Sequence, residues 1–186
     1  MPNRNSQRHN QLIVGITGRI GAGKTSVGKY LELRCGFYYI RYSQVLSDWK
    51  AKDHESKSRL QAVGWEVMAG GMQMELNRRL VAHIQSHSQC AVDGLRHPLD
   101  QECLSKISSD FYLLYVDSPE EIRWKRLQNR HPSIETFLLA DSQPVEQYIE
   151  SLRSHAYKVL QNDSSIEALY EKVDAVLEGI QQGGQP

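Results

Sequence analysis

At 186 residues, with 40% hydrophobic and 24% charged side chains, the chain is long enough for one well-cored domain and leaves little for a second. Its 22 Lys plus Arg balance 22 Asp plus Glu, so no global basic field argues for a nucleic-acid polymer as partner. No run approaches the ~18 apolar residues of a membrane span, the opening Met1 to Gln11 is polar and flexible without an apolar signal core, and Cys35, Cys90 and Cys103 lack paired spacing. These features lead us to expect a cytoplasmic protein with reduced thiols.

The apolar run Leu12 to Ile16 predicts a strand, and Gly18-Arg19-Ile20-Gly21-Ala22-Gly23-Lys24-Thr25 directly after it fits the phosphate-binding pattern G-x-x-x-x-G-K-[ST]. The glycines let consecutive N–H groups turn toward phosphate oxygens, and the helix that follows adds its positive end. Lys24 is placed to reach the β- and γ-phosphates, and the Thr25 hydroxyl to face Mg²⁺, a hard cation that prefers oxygen ligands.

A helix from Lys24 is ended by Gly36, and Phe37 to Ile40 reads as a second strand, completing a βαβ unit. Ser43 is placed to cap a helix through about Lys52, and Ser56 to Ser86 reads as one or two helices broken at Gly64 and at Gly70-Gly71. Cys90 to Gly94 is a short buried strand carrying Asp93, followed by a helix from Pro98 to Ile107. Phe111 to Val116 is the strongest strand signal, closed by Asp117. Ser118-Pro119-Glu120-Glu121 reads as N-cap, N1 proline and capping-box acid of a helix through Gln128. Beyond Arg130 the chain reads as irregular through Pro132 and Pro144, the place for a mobile lid. Tyr157 to Leu160 is the last strand, Ser164 with Glu167 suggests another capping box, Ile166 to Ile180 has helical spacing, and residues 181–186 should fray.

The expected fold is a single α/β domain, a three-layer αβα sandwich with a five-stranded parallel sheet. Residues 41–88 form an acceptor-binding helical segment and about 126–150 a helical lid. Ligands in such sheets bind beyond the carboxyl ends of the strands, where Asp93 can hold Mg²⁺, hold its water or take a proton. Arg96 suits bidentate contact with a phosphate. Arg123, Arg126 and Arg130, at i, i+3, i+7, share a helical face and supply cations for a transferring phosphoryl group. Arg41 and Arg59 are candidates for an acceptor phosphate, and Tyr42 or Trp65 for stacking on a base, against the plainer role of core packing. His83 and His87 have metal-compatible i, i+4 spacing but no third ligand, so an exposed helix face is the better reading.

The opening Gly15-Ile-Thr-Gly-x-Ile-Gly-Ala-Gly-Lys-Thr25, the Asp93-Gly-x-Arg96 element, Arg123-x-x-Arg126-Leu and the turn Asn162-Asp163-Ser164 together resemble the nucleoside monophosphate kinase group. Dephospho-coenzyme A kinases and deoxynucleoside monophosphate kinases are relatives within it, and the resemblance runs from Leu12 to about Leu177. It implies ATP and Mg²⁺ as cofactors, with Gly18 to Thr25 and the adjoining Ser26 on the donor and Asn162 beside the donor base. It further implies Thr25 and Asp93 at the metal, or Asp93 as base, Arg96 on the acceptor, and Lys24, Arg126 and Arg130 on the transferring phosphates. In the acceptor half, Ser43-x-x-Leu46 and Leu60-Gln-x-x-Gly64 resemble deoxynucleotide-kinase-like segments, which adds Ser43 and Arg59 to the acceptor contacts. The implied activity is phosphoryl transfer from ATP to a nucleoside or deoxynucleoside monophosphate. Dephospho-coenzyme A kinase activity and a catalytically silent nucleotide sensor are the alternatives. The implied partners are small nucleotides, and the implied state is a monomer or homodimer.

Overall fold

The computed structural model describes residues 11–50 and 57–183. The expectations for the opening before Gln11 and for the last three residues lie outside them.

Strands β1 (Leu12–Thr17), β2 (Tyr38–Arg41), β3 (Gln89–Asp93), β4 (Phe111–Asp117) and β5 (Lys158–Gln161) form one sheet in the order β2-β3-β1-β4-β5. Every neighbouring pair is parallel. The helices are α1 (Lys24–Cys35), α2 (Tyr42–Lys50), α3 (Lys57–Ala69), α4 (Gln73–Ile84), α5 (Pro98–Ile107), α6 (Glu120–Leu127), α7 (Ile134–Asp141), α8 (Pro144–Arg153) and α9 (Ile166–Gln181). This is the three-layer P-loop architecture expected from the alternating strand and helix signals.

Alternation along β1 builds both cores. Ile13 packs with Tyr42, Val45, Leu80 and Leu104 on one face of the sheet, while Val14 and Ile16 pack with Val27, Leu31, Leu169 and Val173 on the other. Removing a fully buried leucine such as Leu80 from water contributes about 2 kcal/mol.

Register aligns the functional edge. Arg41 and Ile16 both pair with Asp93, Thr17 pairs with Tyr115, and Asp117 pairs with Gln161. The chain leaves β1 toward β2 and leaves β3 toward β4, so adjacent strands β1 and β3 diverge and open a crevice at their carboxyl ends.

Several local expectations are corrected. Gln11 is buried and its amide donates to the carbonyls of Ile84 and His87, so the loose opening ends before it. Helix α2 starts at Tyr42, straight from β2, which leaves Ser43 inside its first turn and not at the cap. Helix α3 runs through Gly64, and the chain breaks only at Gly70-Gly71, where Gly71 has φ 69°. The cap before α6 is Pro119 without a side-chain bond, because the Ser118 hydroxyl accepts from Arg126 instead. The cap of α9 is Ser165, which accepts from Ala168 N. The stretch around Pro132 and Pro144 is ordered into α7 and α8, with Ser133 capping α7 and Pro144 opening α8.

Candidate active site at the carboxyl edge of the sheet

The loop from Gly18 to Gly23 joins β1 to α1, and Gly18, Gly21 and Gly23 have φ of 138°, 78° and 108°. At Gly18 and Gly23 there is no room for a side chain: a Cβ would collide with the Val116 carbonyl and with the Asn162 amide. Arg19, Ile20 and Ala22 fill the intervening positions, and Ser26 N closes the first turn of α1 on Gly23 O at 3.0 Å.

Lys24 folds back over this loop, donating to the Gly18 carbonyl at 2.6 Å and the Arg19 carbonyl at 2.9 Å. Burial pushes its pKa below the ordinary lysine value, against the pull of Asp93 and with Arg96 adding to the shift. An anion in the loop would meet this cation and the inward N–H groups together.

Asp93, at the end of β3, is 4% exposed. Its Oδ2 accepts from the Tyr39 hydroxyl at 2.8 Å and from Thr25 Oγ1 at 3.3 Å, while its Oδ1 is buried with no hydrogen-bond partner among the described residues. Tyr39 packs where Gly28 of α1 has no side chain, since a Cβ there would strike its ring. Burial and the Asp93 charge hold the Tyr39 hydroxyl well above the usual phenol range, so at neutral pH it is a donor.

Thr17 Oγ1 donates to the Leu95 carbonyl at 2.7 Å, tying the turn after Asp93 to β1. Asp100, the acid of the α5 capping box, accepts from the backbone N–H of Arg96 and of His97, both at 3.0 Å. Arg96 is thus held by its backbone, with its half-exposed guanidinium 3.8 Å from Glu146 of α8.

The three arginines expected on one face go to three places. Arg123 is buried against Asp141 of α7. Arg126 donates to the Asn162 carbonyl and side chain, at 3.1 and 3.2 Å, and to Ser118 at 3.1 Å, behind the loop. Arg130 lies beyond the end of α6, its N–H bonded to the Leu127 carbonyl at 2.8 Å, because the helix stops at Leu127. Asn162 is 4% exposed and donates to the Ala22 carbonyl at 2.7 Å, so it braces the loop from β5.

Beside Thr25 opens a cavity of about 570 Å³ between α1, β2 and α2. Arg41, at the end of β2, and Arg130 line it together with Lys29, Tyr39, Gln44 and Asp48. Ser43 is exposed in the first turn of α2, and Arg59 falls within α3 with its side chain outside the described residues. Tyr42, considered for base stacking, is instead a core residue whose hydroxyl donates to Asn77 at 2.7 Å.

Residues 14–147 match the family model described as an AAA domain. The chain belongs to that AAA domain family. One relative of this AAA domain protein is a UPF0200 protein of Pyrobaculum aerophilum, 24% identical over 176 residues, covering 89% of this chain and 96% of the relative. Among solved structures, shikimate kinase from Bacteroides thetaiotaomicron superposes with a TM-score of 0.64 at 17% identity, covering 90% of this chain and 98% of that one. A gluconokinase from Sinorhizobium meliloti gives 0.62 at 14% identity, covering 96% and 100%. These likenesses establish a P-loop kinase fold. No helix among the described residues is long and apolar enough to cross a membrane.

Tyr39, Asp100, Asp141 and Glu146 were not singled out from sequence. Tyr39 looked like one more aromatic of a strand. Asp141 and Glu146 lay in the stretch read as irregular, where no periodicity marked which acids would be buried.

Proposed function

We propose that this AAA domain protein is a Mg²⁺-ATP-dependent phosphotransferase whose acceptor is a small phosphorylated molecule, a nucleoside or deoxynucleoside monophosphate. The observation that carries the reading is the single cavity bringing Thr25 of the phosphate loop together with Arg41 and Arg130. A donor phosphate held by the loop and an acceptor phosphate held by arginines would share such a space, as in-line transfer requires.

The loop N–H groups and Lys24 bind and orient the donor phosphates. Thr25 and Asp93 fit a magnesium ion: their oxygens already converge, and the buried, unpaired Asp93 Oδ1 is the kind of hard donor that ion takes. When bound, the ion neutralises charge on the donor phosphates and fixes their orientation. Arg130 and Arg41 approach the acceptor side of the cavity as cations for the transferring group and the acceptor phosphate. Arg96, close enough to Lys24 to act on its charge, would add a further cation for the acceptor phosphate. Arg126 acts with Asn162 by holding the loop and bordering the space for the donor base.

The test is ADP release from Mg²⁺-ATP against a panel of ribo- and deoxynucleoside monophosphates and dephospho-coenzyme A, with Lys24→Ala as control. Acceptor-dependent release that disappears in the variant supports the reading and names the acceptor. Tight ATP binding with no release for any acceptor overturns it in favour of a nucleotide sensor.

A further inference from the structure

Glu146 is the one acid of α8 that enters the phosphate site, and nothing in the transfer scheme above uses it. It is 2% exposed. One carboxylate oxygen accepts from the backbone N–H of Ile20, inside the phosphate loop, at 3.3 Å. The other faces the Arg96 guanidinium at 3.8 Å, too long for a hydrogen bond, and is buried without a hydrogen-bond partner among the described residues. A buried carboxylate oxygen left unpaired is costly, and a fold oriented only toward stability would pair it or replace it.

The contacts explain why it stays. The N–H groups of a G-x-x-x-x-G-K-[ST] loop point at the place of phosphate oxygens, and Lys24 and Arg96 add positive charge beside them. With no anion present these dipoles and cations repel one another. Glu146 supplies one negative charge from α8, bonded to a loop N–H on one side and facing the arginine on the other. Both of its neighbours are groups that bind phosphate.

We propose that Glu146 is a resident carboxylate of the phosphate site: it occupies the Ile20 N–H and faces Arg96, and the incoming phosphates must displace it. This rests on the nucleotide-binding reading of the loop. A phosphate oxygen and the Glu146 carboxylate cannot both take the one Ile20 N–H, and like charges brought together in a desolvated site repel strongly. Displacement of Glu146 therefore lowers donor affinity, frees Arg96 for the acceptor, and releases the link between α8 and the loop.

The experiment is calorimetric titration of the non-hydrolysable ATP analogue AMPPNP with Mg²⁺ into wild type, Glu146→Gln and Lys24→Ala, with thermal unfolding of each protein. Glu146→Gln keeps the shape and removes the charge, and it should bind the analogue about tenfold more tightly with an unchanged or higher Tm. Glu146→Ala should tighten binding as well, which separates charge from any new contact of the amide. Binding by Glu146→Gln that is equal to or weaker than wild type overturns the proposal. Failure of the loop reading itself shows separately, as binding by Lys24→Ala that matches wild type.

Discussion

Arg123 of α6 and Asp141 of α7 form a two-pronged ion pair, Nη1 to Oδ1 at 2.5 Å and Nη2 to Oδ2 at 3.0 Å, with both side chains 5% exposed. Arg19 of the phosphate loop joins the same carboxylate at 2.9 Å. The segment after α6 is thereby fastened to the loop by a buried charge cluster, so the Arg123 charge is spent on Asp141.

Removing one partner of this cluster leaves the other buried and uncompensated. Arg123→Ala should cost about 3–5 kcal/mol. Denaturant unfolding checks this, and a double variant with Asp141→Asn should cost clearly less than the sum of the two single changes. Strict additivity would mean the pair is not the unit described.

The Gly28, Tyr39, Asp93 stack makes a second prediction. Gly28→Ala pushes a methyl group into the Tyr39 ring and should lose about 1–3 kcal/mol of stability through overpacking. Tyr39→Phe keeps the ring and removes only the hydrogen bond to Asp93, so it should cost about 1–3 kcal/mol of stability and raise the Mg²⁺ concentration needed for nucleotide binding several-fold. Equal Mg²⁺ requirements in wild type and Tyr39→Phe would deny Tyr39 any hold on the carboxylate.

In the cavity, Arg41→Ala and Arg130→Ala separate two roles. Arg41 lines the cavity from the end of β2, and if it holds the acceptor as proposed, its loss should raise the acceptor KM about tenfold or more with a smaller change in kcat. Loss of Arg130 should fall mainly on kcat. Steady-state kinetics with the acceptor named by the panel decides, and the reverse pattern would exchange the two assignments.

Lys24 gives a proton-linked prediction. Its pKa is lowered from 10.5 by burial, and donor phosphates raise it again by supplying opposite charge. In the pH range just below that ordinary value, binding of Mg²⁺-ATP should therefore take up protons. The free protein should also gain stability as pH rises toward that value, because the unfolded chain binds the extra proton there. Calorimetry in two buffers of different ionisation enthalpy measures the uptake, and Lys24→Met should abolish it.

The phosphate loop was legible because every position has a local reason: glycines for the turn, Lys and Thr at fixed offsets, a strand before and a helix after. Asp93 was legible because it ends an apolar strand whose neighbours carry the loop. The fold class followed from the alternation of strand and helix signals, and α5 was placed at its observed ends because His97-Pro98 and Ile107-Ser108 carry boundary chemistry. Less legible were α7 and α8: their prolines signal helix starts as readily as loops, and only packing on the rest of the domain distinguishes the two. The end of α6 was legible to within one residue, but the partners that separate Arg123 from Arg126, Asp141 and Asn162, are tertiary and left no local signal.

By itself, then, the amino-acid order determined the loop and the alternation of strands with helices, because these depend on backbone conformation and local periodicity, and the alternation in turn calls for a parallel sheet. Tertiary structure alone decided which charges are paired and which are left facing the site. Arg123 meets Asp141, Arg126 meets Asn162, Tyr39 fits over Gly28, and Glu146 reaches Ile20 across 126 positions of the chain. Such pairings depend on how helices land on the sheet, and burial then sets the outcome, since a charge taken out of water must find a partner or wait for a ligand.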